Sequence, residues 1–560
     1  MEKRHIMDRK IGVYVCECGP NIANAIDIDR VIESVSGLEN VTVVERYKLL
    51  CSPEGKKYLA EQIKEHGLTH LVVGACSPKQ HEATFMGICV EGGMNPFLMQ
   101  MANLREQIAW ITPDKEKATE RAIRHMKAAV QRVRYHAPLE QKEIECNADV
   151  LVIGGGIAGM SAALLLGSPD RKVFLVEKNT ELGGMVSRCG KLFPDMARGS
   201  EITESRVKSL EEDENIEVLT GTAVENILGF FGNFVVTVRE KESEPREFKV
   251  GAVVVATGAD LFDPGALAEY GYGKIKNVVT ASELEEMNLK GKIALEDGKE
   301  PKSVGIIHCV GRKEKGYCSE VCCRVGIKIS RYLKEKIPGA SVTQFYQDLC
   351  IPGSVAQAFY EETRNAGVEF VCTEAVKLSE SDKKIQIDND GKLATVDMVV
   401  LLPAIEAAES TSEISEMLGV KKGKGEFLTE EHEKIGPVTT TVEGVFLAGT
   451  VSGPKTVRDT VSQSEAAAGK ILSSLVPGRK LETEARTSKI SESLCTGCRT
   501  CLTVCCYSAI EYDESRGICT VNEVLCKGCG NCAAACPSGA ATHQQFTQIQ
   551  IHREMMEVLR

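Results

Sequence analysis

The 560-residue sequence lacks the features of a membrane-spanning or secreted protein. It has no run of about 18 apolar residues, so we expect no membrane span. Residues 1–10 are charged and lack the apolar stretch that a secretory signal needs. The sequence therefore predicts a soluble, cytoplasmic protein.

An excess of positive charge is also missing. The 67 lysines and arginines are outnumbered by 79 aspartates and glutamates, which gives a formal net charge of −12. Because nucleic-acid-binding surfaces are basic, we expect no nucleic acid as a partner. The chain is longer than one hydrophobic core normally serves, so several domains are expected.

The pattern of a small disulfide-stabilised protein is absent, although the chain has 23 cysteines. Secreted disulfide proteins are usually short and rich in loops. Here the cysteines stand at tight, regular spacings in a long chain with helix and strand patterns. Such cysteines are typical of metal ligands in a reducing compartment.

Hydrophobic periodicity and composition divide the chain into five predicted segments. These are an N-terminal α/β domain (1–140), a larger α/β domain (147–475), a polar linker (476–490), a cysteine-rich domain (491–541) and a tail helix (542–560). In the first segment, residues 11–15, 41–46 and 70–73 have strand patterns. The fold class predicted for the whole chain is α/β, with a small α+β domain near the C-terminus.

A glycine-rich loop follows the apolar strand pattern at 149–153. Gly154, Gly156 and Gly159 form G-x-G-x-x-G, and a helix pattern, a second strand and the acidic residue Glu177 follow in order. These glycines allow a tight turn, close approach of a pyrophosphate and helix–strand packing, while the acid can accept from a ribose hydroxyl. The succession of strand, glycine loop, helix, second strand and acidic residue favours a dinucleotide site over a plain glycine turn. The predicted contacts are Gly154, Gly156, Ile157, Ala158, Gly159, Glu177 and Lys178.

Three later motifs favour FAD over NAD. Gly183–Gly184, Thr257–Gly258 and Gly449–Thr450 resemble the glycine pair, the A-T-G strand end and the late flavin-contacting strand of FAD-dependent disulfide-reductase-like proteins. Aspartate is common in that class where Thr450 stands here. The resemblance implies a thioredoxin-reductase-like core with two Rossmann units.

The second Rossmann unit, at about 300–435, lacks the glycine loop that would bind NAD(P)H. Its first strand pattern leads instead to Cys309, Cys318, Cys322 and Cys323. If this segment is helical, Cys318 and Cys322 share a face. The four thiols predict a 4Fe–4S cluster, the alternative being small buried core cysteines. A redox dithiol is not favoured, because the region has no C-x-x-C.

The cysteine-rich domain carries the two-cluster ferredoxin pattern twice. In this pattern the fourth cysteine of each run ligates the other cluster. The first cluster is assigned to Cys495, Cys498, Cys501 and Cys536, and the second to Cys526, Cys529, Cys532 and Cys505. Cys506 stands where proline is usual and could compete with Cys505. Zinc is a much weaker alternative.

Four N-terminal cysteines follow strand or loop patterns: Cys16, Cys18, Cys51 and Cys76. Cysteines at the ends of neighbouring parallel strands can converge on one sheet edge. A further cluster and scattered core or surface thiols are equally compatible with this pattern.

Nearly the whole chain resembles the A subunit of heterodisulfide reductase. The motifs that carry the resemblance are VCECG at 15–19, ACSP at 75–78, LREQ at 104–107, the glycine loop, YCSEVCC at 317–323, GPK at 453–455 and the ferredoxin pair. The resemblance implies FAD, several 4Fe–4S clusters, and an oxidoreductase that acts only within a complex. It also supports clusters at the cysteines of 309–323 and, less strongly, at the N-terminal set.

The resemblance further implies partners and a mechanism. The expected partners are B- and C-like heterodisulfide reductase subunits, a donor subunit (hydrogenase delta-like, formate dehydrogenase or NADH-oxidising), ferredoxin and a second copy of the chain. Electrons are expected to enter at the ferredoxin clusters, reach the flavin and leave through another cluster. Lys455 is predicted to stabilise reduced flavin as a nearby cation, the alternative being a solvated surface lysine.

Two departures from the family leave the function partly open. No cysteine-rich insert lies between Cys189 and Gly258, where the methanogen form carries an extra ferredoxin domain. The gap from Cys309 to Cys318 is also short. The family's proposed electron bifurcation therefore stands beside two alternatives, a non-bifurcating electron-wiring scaffold and a stand-alone flavin-dependent oxidoreductase of NADH or a small molecule.

Overall fold

The computed structural model describes residues 9–241 and 243–560. The chain divides into two units, one formed by Glu482–Arg560 together with the N-terminal segment up to Ile144, the other by Glu145–Leu481. The two-residue strands Glu143–Ile144 and Leu481–Glu482 stand at the boundaries. Across the described part of the chain, no helix combines the length and apolar character that a membrane crossing needs.

A parallel four-stranded sheet forms the N-terminal half of the first unit. Its spatial order is Val41–Tyr47, Ile11–Cys16, His70–Ala75 and Met99–Asn103. The three predicted strands are confirmed, each slightly longer than its pattern. The helices around this sheet are Pro20–Ala23, Ile28–Ser36, Pro53–Glu65, Pro78–Glu91 and Lys115–Val133, with a 3₁₀ turn at Pro96–Leu98 and a π turn at Arg105–Ala109. Because all four strands are parallel, their carboxyl ends share one edge.

The C-terminal half of this unit consists of short elements. Two antiparallel ribbons pair Ser488–Ile490 with Ala541–His543 and Ile510–Asp513 with Ile518–Val521. Two short helices, Thr500–Val504 and Asn531–Ala535, each bury one cysteine, Cys501 and Cys532. These elements are too small for an apolar core of ordinary size, so cysteines make up much of what is buried.

The tail helix, Gln548–Val558, packs on the long helix Lys115–Val133 and so joins the two halves of the first unit. The contacts are polar. Gln550 donates to the carbonyl of Tyr135 at 2.9 Å, and Glu554 pairs with Arg132 at 2.6 Å. Outside the tail helix, the two halves are also joined by an ion pair at 2.8 Å between Arg486, just before the strand Ser488–Ile490, and Glu82 of the helix Pro78–Glu91. The sequence did not predict that the N-terminal and ferredoxin segments form one compact unit.

The second unit contains two parallel five-stranded sheets, which confirms the predicted core with two Rossmann units. The first sheet has the order Val445–Leu447, Ala252–Val255, Val150–Ile153, Val173–Val176 and Ile216–Leu219. The second has the order Val278–Thr280, Met398–Pro403, Ser303–Val310, Ser341–Tyr346 and Val368–Cys372. Their strands are short apolar runs such as VLVI, typical of parallel strands covered on both faces.

Smaller elements complete the second unit. Its remaining strands are Thr222–Phe230, Asn233–Glu240, Arg246–Val250, Ala259–Leu261, Val376–Ser381, Lys384–Asn389, Lys392–Val396 and Ile405–Ala407. Its helices are Ile157–Leu166, Gly184–Ser187, Gly199–Glu212, Ala281–Leu289, Arg312–Lys315, Cys322–Lys336, Ser354–Asn365, Thr411–Leu418 and Val457–Ser474. Short 3₁₀ turns occupy Pro264–Ala266, Ala268–Tyr270, Lys424–Glu426 and Gly449–Ser452.

Candidate flavin and iron–sulfur sites

The glycine loop leaves the centre of the first sheet, and two of its glycines are sterically required. A Cβ on Gly154 would lie 2.3 Å from the carbonyl oxygen of Ala256, and one on Gly159 would lie 1.8 Å from that of Gly154. Gly156 is different, because its nearest neighbour would be the Cα of Gly184 at 4.0 Å. The space beside Gly156 leaves room for the close approach of a pyrophosphate.

The glycine pair lies against this loop. Gly183 donates its N–H to the carbonyl of Gly155 at 2.8 Å, and Gly156 forms a parallel bridge with Gly183. Gly183 has φ of +110° and Gly184 has φ of +58°, conformations that favour glycine. The two glycine segments thus form opposite walls of one cradle.

Glu177 directly follows the strand Val173–Val176 and is 8 % exposed. Its Oε2 accepts from the N–H of Gly155 at 2.7 Å, and its Oε1 accepts from the N–H of Asn179 at 2.8 Å. Oε1 also accepts from Nδ2 of Asn179 at 2.7 Å, so the remaining acceptor capacity for a ribose hydroxyl lies on Oε2. Lys178, in contrast, is exposed.

Two further strand ends meet at the cradle. The hydroxyl of Thr257 is buried and has no hydrogen-bond partner, an arrangement that points to a missing polar ligand. A Cβ on Gly258 would lie 4.0 Å from Oγ1 of Thr450, and Gly449 donates its N–H to Gln463 at 2.8 Å. The residues predicted from the three flavin motifs are therefore brought together, and they fit FAD.

The four cysteines of the second Rossmann unit lie around the end of the strand Ser303–Val310. The predicted helix begins at Cys322, so Cys318 lies outside it and the two do not share a helix face. Cys309 has φ of +60°, a strained conformation for a residue with a side chain. The hydrogen bond between Cys322 and Cys323 lowers the pKa of Cys323 and raises that of Cys322, and burial and the nearby Cys309 and Cys318 raise the pKa of Cys322 further.

Hydrogen-bond donors surround these sulfurs. The N–H of Cys350 donates to Sγ of Cys323 at 3.4 Å, that of Glu320 donates to Cys318 at 3.4 Å, and Nη1 of Arg312 lies 3.8 Å from Sγ of Cys309. Such donors stabilise thiolate sulfur and raise cluster potentials. The sequence patterns did not predict the contact of Cys350, because it lies 27 residues beyond Cys323.

The ferredoxin cysteines line two separate cavities. One is lined by Cys495, Cys498, Cys501 and Cys536, together with a fifth cysteine, Cys519. The other is lined by Cys505, Cys526, Cys529 and Cys532. The grouping matches the crossed assignment of the fourth cysteines, and it fits one 4Fe–4S cluster in each cavity. Cys506 is exposed and does not line the second cavity.

The N-terminal cysteines lie at the carboxyl edge of the first sheet. Cys16 ends its strand, Cys76 follows the next one, and both pack in one core cluster with Cys18 and Cys51. Arg105 donates from Nη1 to Sγ of Cys18 at 3.3 Å. Burial raises the pKa of Cys16 and raises that of Cys76 to about 11. The raised pKa values mean that deprotonating these buried thiols is unfavourable. Metal coordination would offset this cost, because it favours the thiolate form.

None of the described residues forms a group of three or more His, Cys, Asp or Glu side chains arranged for a single metal ion. A cubane cluster has a different requirement, because each of its four irons takes one thiolate.

Lys455 lies in the loop before the helix Val457–Ser474. Its Nζ donates to Oγ of Ser452 at 3.1 Å and to the carbonyl of Gly453 at 3.3 Å. Burial lowers the pKa of its ammonium group, against the opposing effects of Glu430 and Asp459. The predicted role of Lys455 beside the flavin stays a prediction.

A buried ion pair has no counterpart among the sequence predictions. Nζ of Lys328 lies 2.6 Å from Oε1 of Glu285, with side chains 3 % and 6 % exposed. Glu285 also accepts from the N–H of Gly190 at 2.9 Å, and Lys328 donates to the carbonyl of Lys191 at 2.8 Å. The pair thus ties the segment after the flavin glycine pair to the helix that begins at Cys322. Neither residue stands in a motif, so the sequence offered no signal for the pair.

Two family models match the chain. The model for pyridine nucleotide-disulphide oxidoreductases matches residues 148–468, and a 4Fe–4S dicluster domain matches residues 494–540. These matches cover the flavin cradle and both ferredoxin cavities.

Curated relatives extend over almost the whole chain. The A subunit of the H(2):CoB-CoM heterodisulfide,ferredoxin reductase of Methanothermobacter thermautotrophicus is 34% identical, over 90% of this chain and 91% of the relative. An iron–sulfur A subunit of the CoB–CoM heterodisulfide reductase of Methanopyrus kandleri is also 34% identical, over 91% of each. The chain belongs to the A-subunit family of heterodisulfide reductases. As a member of this family it is an oxidoreductase subunit, and its domains are those of an FAD and 4Fe–4S protein.

Among solved structures, thioredoxin reductase of Lactococcus lactis matches 59% of this chain and 99% of its own, with 18% sequence identity and a TM-score of 0.43.

Proposed function

We propose that this heterodisulfide reductase A subunit carries electrons between partner proteins through one FAD and four 4Fe–4S clusters. FAD exchanges two electrons, singly or as a pair, whereas each cluster passes one. The observation that carries the proposal is the placement of the cysteines. Those of the ferredoxin pattern line two cavities, and eight more gather at two strand edges.

The second Rossmann unit supports a partner as electron donor rather than NADH itself. Where a phosphate loop would follow the strand Ser303–Val310, the chain has Gly311, a four-residue helix and the cysteine segment. A Cβ on Gly311 would lie 2.5 Å from the ring of Phe262, so the turn is closely packed. A helix N-terminus open to a pyrophosphate is not formed there by the described residues.

The proposed partners follow from the family. They are B- and C-like subunits that carry the thiol–disulfide chemistry, a hydrogenase- or formate-dehydrogenase-type donor, ferredoxin, and a second copy of this chain. The name of the Methanothermobacter relative includes both heterodisulfide and ferredoxin. We propose that pair as the electron acceptors here, reached by bifurcation at the flavin, in the cytoplasm.

The cluster number is tested by measuring iron, acid-labile sulfide and flavin in the anaerobically purified full chain. Four clusters require about sixteen iron per FAD, because each cluster holds four. About eight iron per FAD would leave the ferredoxin pair alone and contradict both additional clusters.

A comparison of two variants separates ligation from packing. Cys76→Ser replaces a proposed ligand, and Cys89→Ser replaces a buried cysteine of the same core cluster. We expect a loss of about four iron from the first variant and none from the second.

The direction of electron entry is tested by adding NADH to the isolated protein. We expect no bleaching of the flavin absorbance within minutes, since the second Rossmann unit offers no phosphate-binding loop. Dithionite serves as the positive control for a reducible flavin. Rapid bleaching by NADH would instead support the stand-alone oxidoreductase. A flavin that dithionite leaves oxidised would support the electron-wiring scaffold.

A further inference from the structure

The two ferredoxin cavities differ in the number of thiols that line them. Four cysteines line the cavity of Cys505. Five line the other cavity, the fifth being Cys519 on the strand Ile518–Val521. A 4Fe–4S cluster binds four cysteines, so the cavity of Cys519 has one thiol more than the first cluster needs.

Cys519 is placed like a ligand. It is 2 % exposed, its N–H donates to Sγ of Cys495 at 3.4 Å, and its side chain lies in the same buried cluster as that of Cys501. Together with Cys501, Ile510 and Cys532 it forms the small buried core of the module. The alternative is that Cys519 has only a packing role in this core, as buried cysteines often do.

We propose that Cys519 is a reserve ligand, which binds the iron of the first ferredoxin cluster when Cys501 is lost from it. This inference rests on the proposed function, because it needs a cluster in that cavity. Cys501 is the ligand replaced, because among the five cysteines that line this cavity it and Cys519 are the two that are buried.

The exchange balances without an oxidant or reductant. The bond between iron and Cys501 breaks, the bond between iron and Cys519 forms, and the proton of the Cys519 thiol passes to the Cys501 sulfur. The iron oxidation states do not change. Because both sulfurs line one cavity, the exchange requires side-chain rotation and no opening of the module.

Cys532 provides a matched control within the same chain. Cys501 and Cys532 are the third cysteines of their runs, and each lies buried in a five-residue helix. Four thiols line the cavity of Cys532, and Cys506, which is exposed, is not among them. The proposal therefore predicts opposite outcomes for the same substitution at two equivalent positions.

The experiment measures iron and acid-labile sulfide per FAD in the anaerobically purified full chain. We expect Cys501→Ala and Cys519→Ala each to keep the wild-type iron content, and Cys501→Ala/Cys519→Ala to lose about four iron. We expect Cys532→Ala alone to lose about four. Electron paramagnetic resonance of the reduced protein should show an altered, but present, signal in Cys501→Ala.

Two results overturn the proposal. A loss of about four iron in Cys501→Ala means that Cys519 does not ligate, and this holds even if the double variant fails to fold. Retention of all iron in Cys532→Ala means that a missing third cysteine is tolerated without a fifth thiol in the cavity. A wild-type protein that lacks the ferredoxin iron altogether would contradict the proposed function instead, so the two failures are distinguishable.

Discussion

Replacing Gly156 by valine is expected to produce a folded protein that holds no flavin. Gly156 has φ of −76°, which any residue can adopt, and a Cβ there has no neighbour nearer than 4.0 Å. The new side chain would fill the space predicted for the pyrophosphate without disturbing the loop. We expect the FAD content to fall at least about tenfold, equivalent to about 1.4 kcal/mol of binding or more.

The measurement is the ratio of flavin absorbance to protein after purification and after incubation with added FAD. Gly469→Val is the matched control. Gly469 lies in the helix Val457–Ser474 of the same unit, and a Cβ there meets nothing within 4 Å. A Gly156→Val protein that retains stoichiometric FAD would show that the cradle lies elsewhere. Circular dichroism close to wild type excludes simple unfolding as the cause of flavin loss.

Replacing Lys328 by methionine is expected to destabilise the flavin-containing unit strongly. The substitution would leave the carboxylate of Glu285 buried without its cation, and breaking a buried ion pair in this way costs about 3–5 kcal/mol. It would also remove the bond to the carbonyl of Lys191. We expect the midpoint temperature of unfolding to fall. Unfolding is monitored through the release of flavin, at one fixed scan rate for all variants.

Two variants separate the charge effect from general damage. Lys328→Met/Glu285→Gln removes both charges, so it should recover much of the lost stability, because no uncompensated ion remains buried. Lys290→Met breaks the exposed pair with Glu286, at 4.0 Å, and should change stability by less than about 1 kcal/mol. Equal losses in Lys328→Met and in the double variant would mean that packing, rather than charge, stabilises this site.

The motifs predictable from the sequence are local ones. The glycine loop, the acid Glu177 and the ferredoxin runs place their functional groups within a few residues of each other. One loop or helix N-terminus then determines most of the geometry, because nearby residues cannot separate far in space. The two Rossmann units were predicted from the resemblance of the flavin motifs to those of FAD-dependent disulfide-reductase-like proteins.

Convergence of residues far apart in sequence could not be predicted with the same certainty. Cys16, Cys51 and Cys76 meet because three parallel strands place their carboxyl ends on one edge, and sheet order is a property of the whole domain. Cys350 reaches Cys323 through a strand and loop outside any motif. The sequence therefore left two interpretations of the N-terminal set, and it contained no signal for Cys350.

By itself, then, the sequence determined the fold class, the family, and the two cofactor types, because each depends on patterns within short segments. The tertiary structure alone decided which distant groups are neighbours. It placed Cys519 in a cavity with four other thiols, paired Lys328 with Glu285, and joined the N-terminal and ferredoxin segments in one unit. Whether side chains such as these are buried or paired depends on how whole helices and strands pack against each other. The spacing of residues along the chain does not contain this information.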